Sequence, residues 1–236
     1  MKALILAAGL GSRLKKKTQN IPKALIKIKS KPIISLQIEA LKYNKINQIG
    51  VVLGYKSDIL KEYLLATHKD IKFSFFMNKD YELSNSAYSF YQAREYVKNI
   101  SYIHLNCDVI FSKELLSDLI MSKNKNVIAL SKKISLKDNM EQVKLDLNKK
   151  ILKMDNMKFK EAVFKAYGLA KLSAESTNYV LKKIKFYLGK NEKNKNYYGI
   201  LRQAVLELDY YGINANDRSL LEVNTLSDLE IAIQSL

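Results

Sequence analysis

The sequence of 236 residues is poor in several residue types: it has one cysteine, Cys107, two histidines, two prolines and no tryptophan. A single cysteine excludes an intramolecular disulfide and a cysteine-cluster metal site. The two histidines, His68 and His104, are too few for a histidine-rich zinc centre. The sequence has no apolar run long enough to cross a bilayer and no signal-peptide core at its start, so we expect a soluble protein of the cytoplasm.

Acidic residues are also scarce, because 23 Asp and Glu stand against 40 Lys and Arg, which gives a formal net charge of +17. Such a charge raises the question of nucleic-acid binding. The lysines, however, are spread over nearly every segment, without the interleaved aromatic residues of a base-stacking surface. We therefore expect no dedicated nucleic-acid surface and no membrane partner, and we interpret the charge as a field that draws in anionic substrates.

The sequence does contain a regular alternation of short apolar runs with longer helical stretches. This alternation is typical of crossover units and of a mostly parallel sheet. The length and a hydrophobic content of 47% fit one packed core. We therefore expect a single α/β domain over residues 1–236.

The most informative motif lies near the start of the chain. An apolar strand at residues 2–8 runs into Gly9-Leu-Gly-Ser-Arg-Leu14, and Pro22-Lys23 follows a short loop later. Gly9 and Gly11 can adopt positive φ, which lets backbone N–H groups form an anion nest. The arginine and the lysine add cationic donors for phosphate oxygens. The motif predicts a loop that binds a polyphosphate.

Other interpretations of this loop fit less well. The dinucleotide-binding fingerprint needs a third glycine where Leu14 stands, and the Gly-Lys-Ser/Thr of a P-loop is absent. The remaining alternative is a strand-to-loop turn whose glycines serve geometry only and whose cations lie on a solvated face.

A second feature is Asp108, which follows a predicted buried strand at residues 102–106. Ligands of open α/β sheets sit outside the carboxyl ends of the strands, so Asp108 and the glycine loop could face one crevice. A triphosphate held there needs a divalent cation, and Mg²⁺ prefers oxygen ligands. Asp108 is the first candidate ligand. Glu222 or Asn224, two residues apart on one face of a late segment, is the second.

Together these segments resemble the nucleotidyltransferase family of sugar-phosphate- and phosphocholine-activating enzymes. The resemblance spans nearly the whole chain and is carried by the opening motif with Gly54-Tyr-Lys56, Asn106-Cys-Asp108, Tyr167-Gly-Leu-Ala-Lys171 and Glu222-Val-Asn-Thr225. It implies a Rossmann-like, GT-A-like domain with three α/β/α layers and a mostly parallel mixed sheet. Asn85-Ser86 before a helix is similar to a stretch of the small phosphocholine cytidylyltransferases, which favours CTP as the nucleotide.

The resemblance also implies roles for individual positions. Arg13 and Lys23 would be catalytic, and Asp108 and Asn224 would hold Mg²⁺. The nucleotide-binding residues would be Leu6, Ala7, Ala8, Gly9, Gly11, Ser12, Arg13, Lys23, Gly54, Asn85, Ser86 and Cys107. The acceptor-binding residues would be Lys144, Tyr167, Lys171, Tyr197, Tyr198 and Glu222, with Lys144 or Lys171 on the acceptor's phosphate.

Two positions depart from the phosphocholine enzymes. Asn224 stands where those enzymes usually have Asp, and Gly199 follows Tyr197-Tyr198 where they usually have an acidic residue. The missing carboxylate undermines recognition of a cationic amine. The acceptor therefore stays open among phosphocholine-like compounds, phosphorylated amino acids, sugars and polyols.

We expect an enzyme that transfers CMP from CTP to a small phosphorylated acceptor and releases pyrophosphate, in the decoration of a surface polysaccharide. The alternatives are a sugar-1-phosphate nucleotidyltransferase that uses UTP, dTTP or GTP, a nucleotide-binding regulator without activity, and a basic nucleic-acid binder. A homodimer is compatible with the sequence, which does not determine the oligomeric state.

Overall fold

The computed structural model describes residues 1–132 and 134–235, without the side chain of Lys15. The domain expected over residues 1–236 includes Lys133 and Leu236, which lie outside the described residues. The strands are β1 (Lys2–Ala7), β2 (Lys27–Ile28), β3 (Lys31–Pro32), β4 (Gln48–Leu53), β5 (Lys72–Met77), β6 (Tyr102–Asn106), β7 (Val109–Phe111), β8 (Val127–Ser131), β9 (Gln142–Leu145), β10 (Ile151–Asp155), β11 (Phe164–Leu172), β12 (Tyr211–Asn214) and β13 (Leu220–Glu222). The α-helices are α1 (Ile33–Tyr43), α2 (Ser57–Thr67), α3 (Ser86–Gln92), α4 (Arg94–Val97), α5 (Lys113–Met121), α6 (Ala174–Gly189), α7 (Tyr197–Glu207) and α8 (Leu226–Ser235).

Nine of these strands form one mixed sheet. Strand β1 lies at its centre and pairs in parallel with β4 and β6, and β4 pairs in parallel with β5. Strand β11 runs antiparallel to β6 and β8, and it joins this parallel half to a second half that contains β8, β9, β10 and β12. The predicted mixed, mostly parallel sheet is confirmed, with its parallel strands β5, β4, β1 and β6 side by side.

Helices cover both faces of the sheet. Ala3 and Ile5 of β1 pack into a core under α1, α2 and α5, whereas Leu4 and Leu6 pack into a core under α3, α6 and α7. Successive side chains of a strand point to opposite faces, so an entirely apolar strand can supply both cores. The three α/β/α layers are therefore confirmed. No helix of the described residues is long and apolar enough to cross a membrane.

A two-stranded ribbon outside the main sheet carries the late segment back to the end of β6. Strand β13 pairs antiparallel with β7, with Glu222 opposite Val109. The backbone N–H of Val223 donates to the carbonyl of Asp108 at 3.0 Å. This pairing places residues more than 110 positions apart in the chain side by side.

The start of α8 fixes the end of this ribbon. The backbone N–H of Asp228 donates to Thr225 Oγ1 at 3.2 Å, and the N–H of Thr225 donates to the Asp228 carboxylate at 2.8 Å. This reciprocal pair is a capping box, in which Thr225 caps the start of α8. The Asp228 carboxylate also accepts from the N–H of Asn224 at 2.9 Å, so the helix cap holds the backbone of Asn224.

The direction of β11 places Lys171 far from Asp108. Because β11 is antiparallel to β6, Lys171 lies opposite Ile103 near the start of β6, whereas Asp108 follows its end. Lys171 Nζ donates to the carbonyls of Ser122 at 2.6 Å and Ile120 at 3.3 Å, where α5 ends. A cation there satisfies unpaired carbonyls and opposes the negative end of the helix dipole. The topology thus gives Lys171 a contact with α5 and not the expected contact with an acceptor.

Replacing this lysine tests that placement. We expect Lys171→Met to lower the free energy of unfolding by about 1–3 kcal/mol, because buried carbonyls lose a charged donor. Urea denaturation measures the change, with Lys72→Met, which alters an exposed side chain of β5, as the control. An unchanged stability in Lys171→Met together with a loss of acceptor binding would contradict the placement.

Candidate functional site

A cleft of about 380 Å³ opens beyond the carboxyl ends of β1 and β6. It is lined by Leu6, Ala8, Gly9, Leu10, Gly11, Ser12, Arg13, Lys23, Tyr81, Ser84, Asn85, Ser86, Ser89, Asn106, Cys107, Asp108, Asn196, Glu222 and Asn224. The structure therefore brings together the glycine loop, the end of β6 and the late segment. These are the three parts of the chain that the sequence singled out.

The two glycines of the loop differ in conformation. Gly11 has a φ of 66° and is the only glycine with positive φ in the part of the chain that the structure describes. A Cβ at Gly11 would lie 3.0 Å from Cγ2 of Thr18, whose hydroxyl donates to the Gly11 carbonyl. Gly9 does not adopt positive φ, and a Cβ there would meet no atom within 4 Å. Gly11 thus shapes the turn, and Gly9 leaves the backbone open to a ligand.

Lys23 is the centre of a polar junction on the cleft wall. Its Nζ donates to Asp108 Oδ2 at 2.6 Å and to Asn224 Oδ1 at 2.9 Å. Arg13 Nη2 donates to the same Asn224 oxygen at 2.6 Å. Pro22, with a φ of −66°, precedes the short 3₁₀ helix Lys23–Leu25 and sets the direction of the lysine. The side chains of Lys23 and Asp108 are 10% and 16% exposed, so water screens this ion pair only in part.

The same junction offers oxygens to a divalent cation. Asp108 Oδ1 is buried and has no hydrogen-bond partner among the described residues. Asn224 Oδ1 accepts from the same Lys23 Nζ as Asp108 Oδ2, whereas Glu222 is paired with Lys165. Within the described residues no three His, Cys, Asp or Glu side chains cluster as a metal site. A cation held by Asp108 and Asn224 would take its other ligands from phosphate and water, which suits Mg²⁺.

The start of α3 forms a polar wall of the cleft. Asn85 caps this helix, since its side chain accepts from the N–H of Ser86 at 2.7 Å. Its own N–H donates to the carbonyl of Lys193 at 3.0 Å, and the N–H of Tyr197 donates to Ser86 Oγ at 2.8 Å. The segment before α7 therefore holds this wall in place.

Glu222 lies in the cleft beside a lysine that the sequence analysis missed. Lys165 Nζ forms an ion pair with Glu222 Oε2 at 2.6 Å, and the two side chains are 11% and 19% exposed. The same Nζ lies 4.3 Å from the ring centre of Tyr167. Burial raises the pKa of Tyr167 to about 12. A signal was present, because alternate residues of a strand share a face and Lys165 stands two positions before Tyr167.

Four other residues expected at the acceptor do not line the cleft, namely Lys144, Tyr167, Tyr197 and Tyr198. Tyr197 is buried against His104, with ring centres 4.3 Å apart, and Tyr198 donates its hydroxyl to the Tyr167 carbonyl at 2.5 Å. Both tyrosines belong to the core under α7. Lys144 lies on β9 opposite Lys153 of β10. The apolar pattern of α7 explains the tyrosines, since its inward face packs on the sheet.

Two residues expected at the nucleotide also act from outside the cleft. The side chain of Ala7 packs into the core on the opposite face of the sheet from Leu6. A Cβ at Gly54 would lie 2.5 Å from the Ala8 carbonyl, so Gly54 allows β4 to end close behind the glycine loop. Cys107 does line the cleft, but burial raises the pKa of its thiol to about 12, which makes it a poor nucleophile.

Comparison with known proteins relates this geometry to a family. A model described as nucleotidyl transferase matches residues 2–144. The CTP:phosphoglutamine cytidylyltransferase of Campylobacter jejuni is 38% identical over 141 residues, which cover 56% of this chain and 53% of that protein. The choline-phosphate cytidylyltransferase of Streptococcus pneumoniae is 39% identical over 122 residues, which cover 52% of this chain and 51% of that protein. The chain thus spans about half the length of these two relatives.

A third relative and two solved structures extend the comparison. The D-glycero-alpha-D-manno-heptose 1-phosphate guanylyltransferase of C. jejuni is 32% identical over 169 residues, 72% of each chain. The inositol-1-phosphate CTP transferase of T. maritima superposes with a TM-score of 0.80 at 18% identity, over 99% of this chain and 95% of that one. The CTP:phosphocholine cytidylyltransferase of S. pneumoniae superposes with a TM-score of 0.78 at 24% identity, over 99% and 97%. The two structures show the same fold, and the family model together with the relatives shows that this chain belongs to the nucleotidyl transferase family.

Proposed function

We propose that this protein transfers CMP from CTP to a small phosphorylated acceptor and releases pyrophosphate. The observation that carries the proposal is the junction of Lys23, Asp108 and Asn224 beside the open glycine loop. It combines a cation for phosphate with oxygens for a metal. The choice of CTP is supported by the relatives from C. jejuni and S. pneumoniae, a phosphoglutamine and a choline-phosphate cytidylyltransferase.

The glycine loop would hold the triphosphate. Gly9, Gly11 and Ser12 offer backbone N–H groups at the cleft, and Arg13 adds a forked donor. Leu6, Ala8, Asn85, Ser86 and Cys107 would lie against the nucleoside, because they line the rest of the cleft between β1 and α3. Ala7 and Gly54 would support this surface from behind.

The chemistry would be a direct displacement at the α-phosphorus of CTP. An oxygen of the acceptor's phosphate forms the new bond to phosphorus, and the bond to the bridging oxygen of pyrophosphate breaks. The acceptor's phosphate is already ionised, so no general base is needed. Lys23 and Arg13 would stabilise the charge of the transition state by their position. Asp108 and Asn224 would hold Mg²⁺, which neutralises phosphate charge when bound.

A second candidate is guanylyl transfer to a sugar 1-phosphate. The guanylyltransferase of C. jejuni favours it, because its alignment covers 72% of both chains. Either reaction would use the same triphosphate loop. The two candidates differ in the base and in the acceptor.

The wider setting is also a proposal. A nucleotide-activated product of this kind would serve the decoration of a surface polysaccharide. The need for CTP would place the reaction in the cytoplasm. Both statements rest on the family resemblance of the sequence.

A panel of nucleotides separates the candidates. We expect CTP with Mg²⁺ and a phosphorylated acceptor to release pyrophosphate faster than UTP, dTTP or GTP. The measurement is an enzyme-coupled pyrophosphate assay with phosphocholine, phosphoserine, glucose 1-phosphate and heptose 1-phosphate as acceptors. A preference for GTP with a sugar phosphate would establish the second candidate. Binding of CTP without pyrophosphate from any acceptor would favour a regulator.

Removal of the junction lysine should reduce turnover. We expect Lys23→Ala to lower kcat on the order of 10²- to 10³-fold, the usual effect of losing one donor to transition-state charge. The matched control is Lys31→Ala, since Lys31 pairs with Glu39 on the exposed surface. Steady-state kinetics measures both variants, and near-normal turnover in Lys23→Ala would refute the role.

A further inference from the structure

Glu222 lines the cleft two residues before Asn224 of the polar junction. It forms a largely buried ion pair with Lys165, so charges of both signs meet at this edge of the cleft. A second pair lies beside it, where Arg202 Nη1 of α7 donates to both carboxylate oxygens of Glu141, the residue before β9, at 2.8 and 2.9 Å. Each cation is paired with a carboxylate, so the two pairs add no net charge in a chain of net charge +17.

The two ion pairs are adjacent, but they differ in how many of their carboxylate oxygens accept a hydrogen bond. The N–H of Ala166, which follows Lys165, donates to the carbonyl of Glu141 at 2.7 Å, so β11 joins the pairs. Arg202 occupies both oxygens of Glu141. Lys165 bonds Oε2 of Glu222, which leaves Oε1 of that carboxylate and two N–H donors of the ammonium without a hydrogen bond within the described chain. The pair that reaches the cleft through Glu222 is therefore the one that can still bind a ligand.

Gly199 lies beside the ion pair between Arg202 and Glu141 and has no side chain that could disturb it. A Cβ at Gly199 would lie 3.3 Å from Arg202 Nη2, so glycine leaves space for the guanidinium. An acidic residue in its place would compete with Glu141 for this arginine. The carboxylate available to a ligand thus comes from Glu222 on β13.

The bonding of this pair limits which acceptors bind well. An acceptor with only a cationic group would compete with Lys165 for Glu222 and leave a buried ammonium unpaired, which is costly. An acceptor with only an added carboxylate would leave Glu222 unpaired in the same way. A zwitterion replaces both partners at once, because its carboxylate pairs with the lysine and its ammonium with the glutamate.

We propose that Lys165 and Glu222 select a zwitterionic acceptor, in which an amino acid group follows the phosphate, with Lys165 on its carboxylate and Glu222 on its ammonium. This inference rests on the proposed nucleotidyl transfer. The buried ring of Tyr167 packs against the Lys165 ammonium, 4.3 Å from Nζ to the ring centre, and so supports the position of that cation. The acceptor's phosphate then lies towards Lys23 and the junction.

Four matched acceptors test the selection with CTP and Mg²⁺. Phosphoserine carries both charges, phosphoethanolamine lacks the carboxylate, 3-phosphoglycerate lacks the ammonium, and glycerol 3-phosphate lacks both. We expect phosphoserine to exceed each of the others about 10- to 100-fold in kcat/KM, the usual effect of one charged hydrogen bond. Equal values for the four acceptors, or a preference for phosphoethanolamine, would overturn the proposal.

Two variants distinguish recognition from general damage. Lys165→Gln should lower the ratio of kcat/KM for phosphoserine to kcat/KM for phosphoethanolamine at least tenfold, because Glu222 can then bind an ammonium that has no carboxylate beside it. Glu222→Gln should instead lower the ratio of kcat/KM for phosphoserine to kcat/KM for 3-phosphoglycerate. The control is Lys150→Gln, whose lysine forms an equally short but exposed pair with Asp209. Structural damage would lower kcat/KM for all four acceptors together and leave both ratios unchanged. That result would refute the roles of Lys165 and Glu222.

Failure of the inference can be told from failure of the proposed function. Pyrophosphate release with phosphocholine or a sugar phosphate, but not with phosphoserine, would overturn the inference and keep nucleotidyl transfer. No release with any nucleotide and any acceptor would overturn both. Calorimetric titration of phosphoserine into protein loaded with the α,β-methylene analogue of CTP gives a second readout, in which tighter binding of phosphoserine than of phosphoethanolamine supports the selection.

Discussion

The ion pair between Lys23 and Asp108 is the contact on which the rest of the site depends. Two charges that are removed from most of the solvent are costly unless each satisfies the other. Lys23 comes from the segment after the glycine loop, Asp108 from the end of β6, and Asn224 from the ribbon before α8. The pair therefore holds three distant parts of the chain at one point. A bound phosphate and its metal would have to share these same groups.

The cleft has two ends of different electrostatic character. At the loop end, Arg13 and open backbone at Gly9 provide donors for an anion. At the other end, the pairing of Lys165 with Glu222 cancels charge and leaves directional hydrogen bonds. Electrostatic attraction at the first end is largely independent of the organic group that is attached to the phosphate. In the proposed reaction, selectivity would come from the second end, where a wrong ligand would leave a buried group unpaired.

Local patterns predicted much of the fold and half of the site. The continuous apolar run of β1 predicts a buried strand, and the Gly-x-Gly motif predicts the turn that follows it. Long-range strand direction was harder to predict. The sequence predicted Lys171 as an acceptor-binding residue. The antiparallel pairing of β11 with β6 instead places it at the opposite end of β6 from Asp108. Tyr197 and Tyr198 were also expected at the acceptor. They lie in the core instead, because α7 turns both side chains towards the sheet.

The sequence by itself determined the glycine loop, since a glycine turn with its cations is a local structure that follows from neighbouring residues. The sequence also determined which side chains could bind a metal. Only the tertiary structure decided that Asn224 joins Asp108 while Glu222 joins Lys165. That choice depends on the register of β13 against β7 and on the crossing of β11. Such contacts join residues far apart in the chain, and no local pattern specifies them.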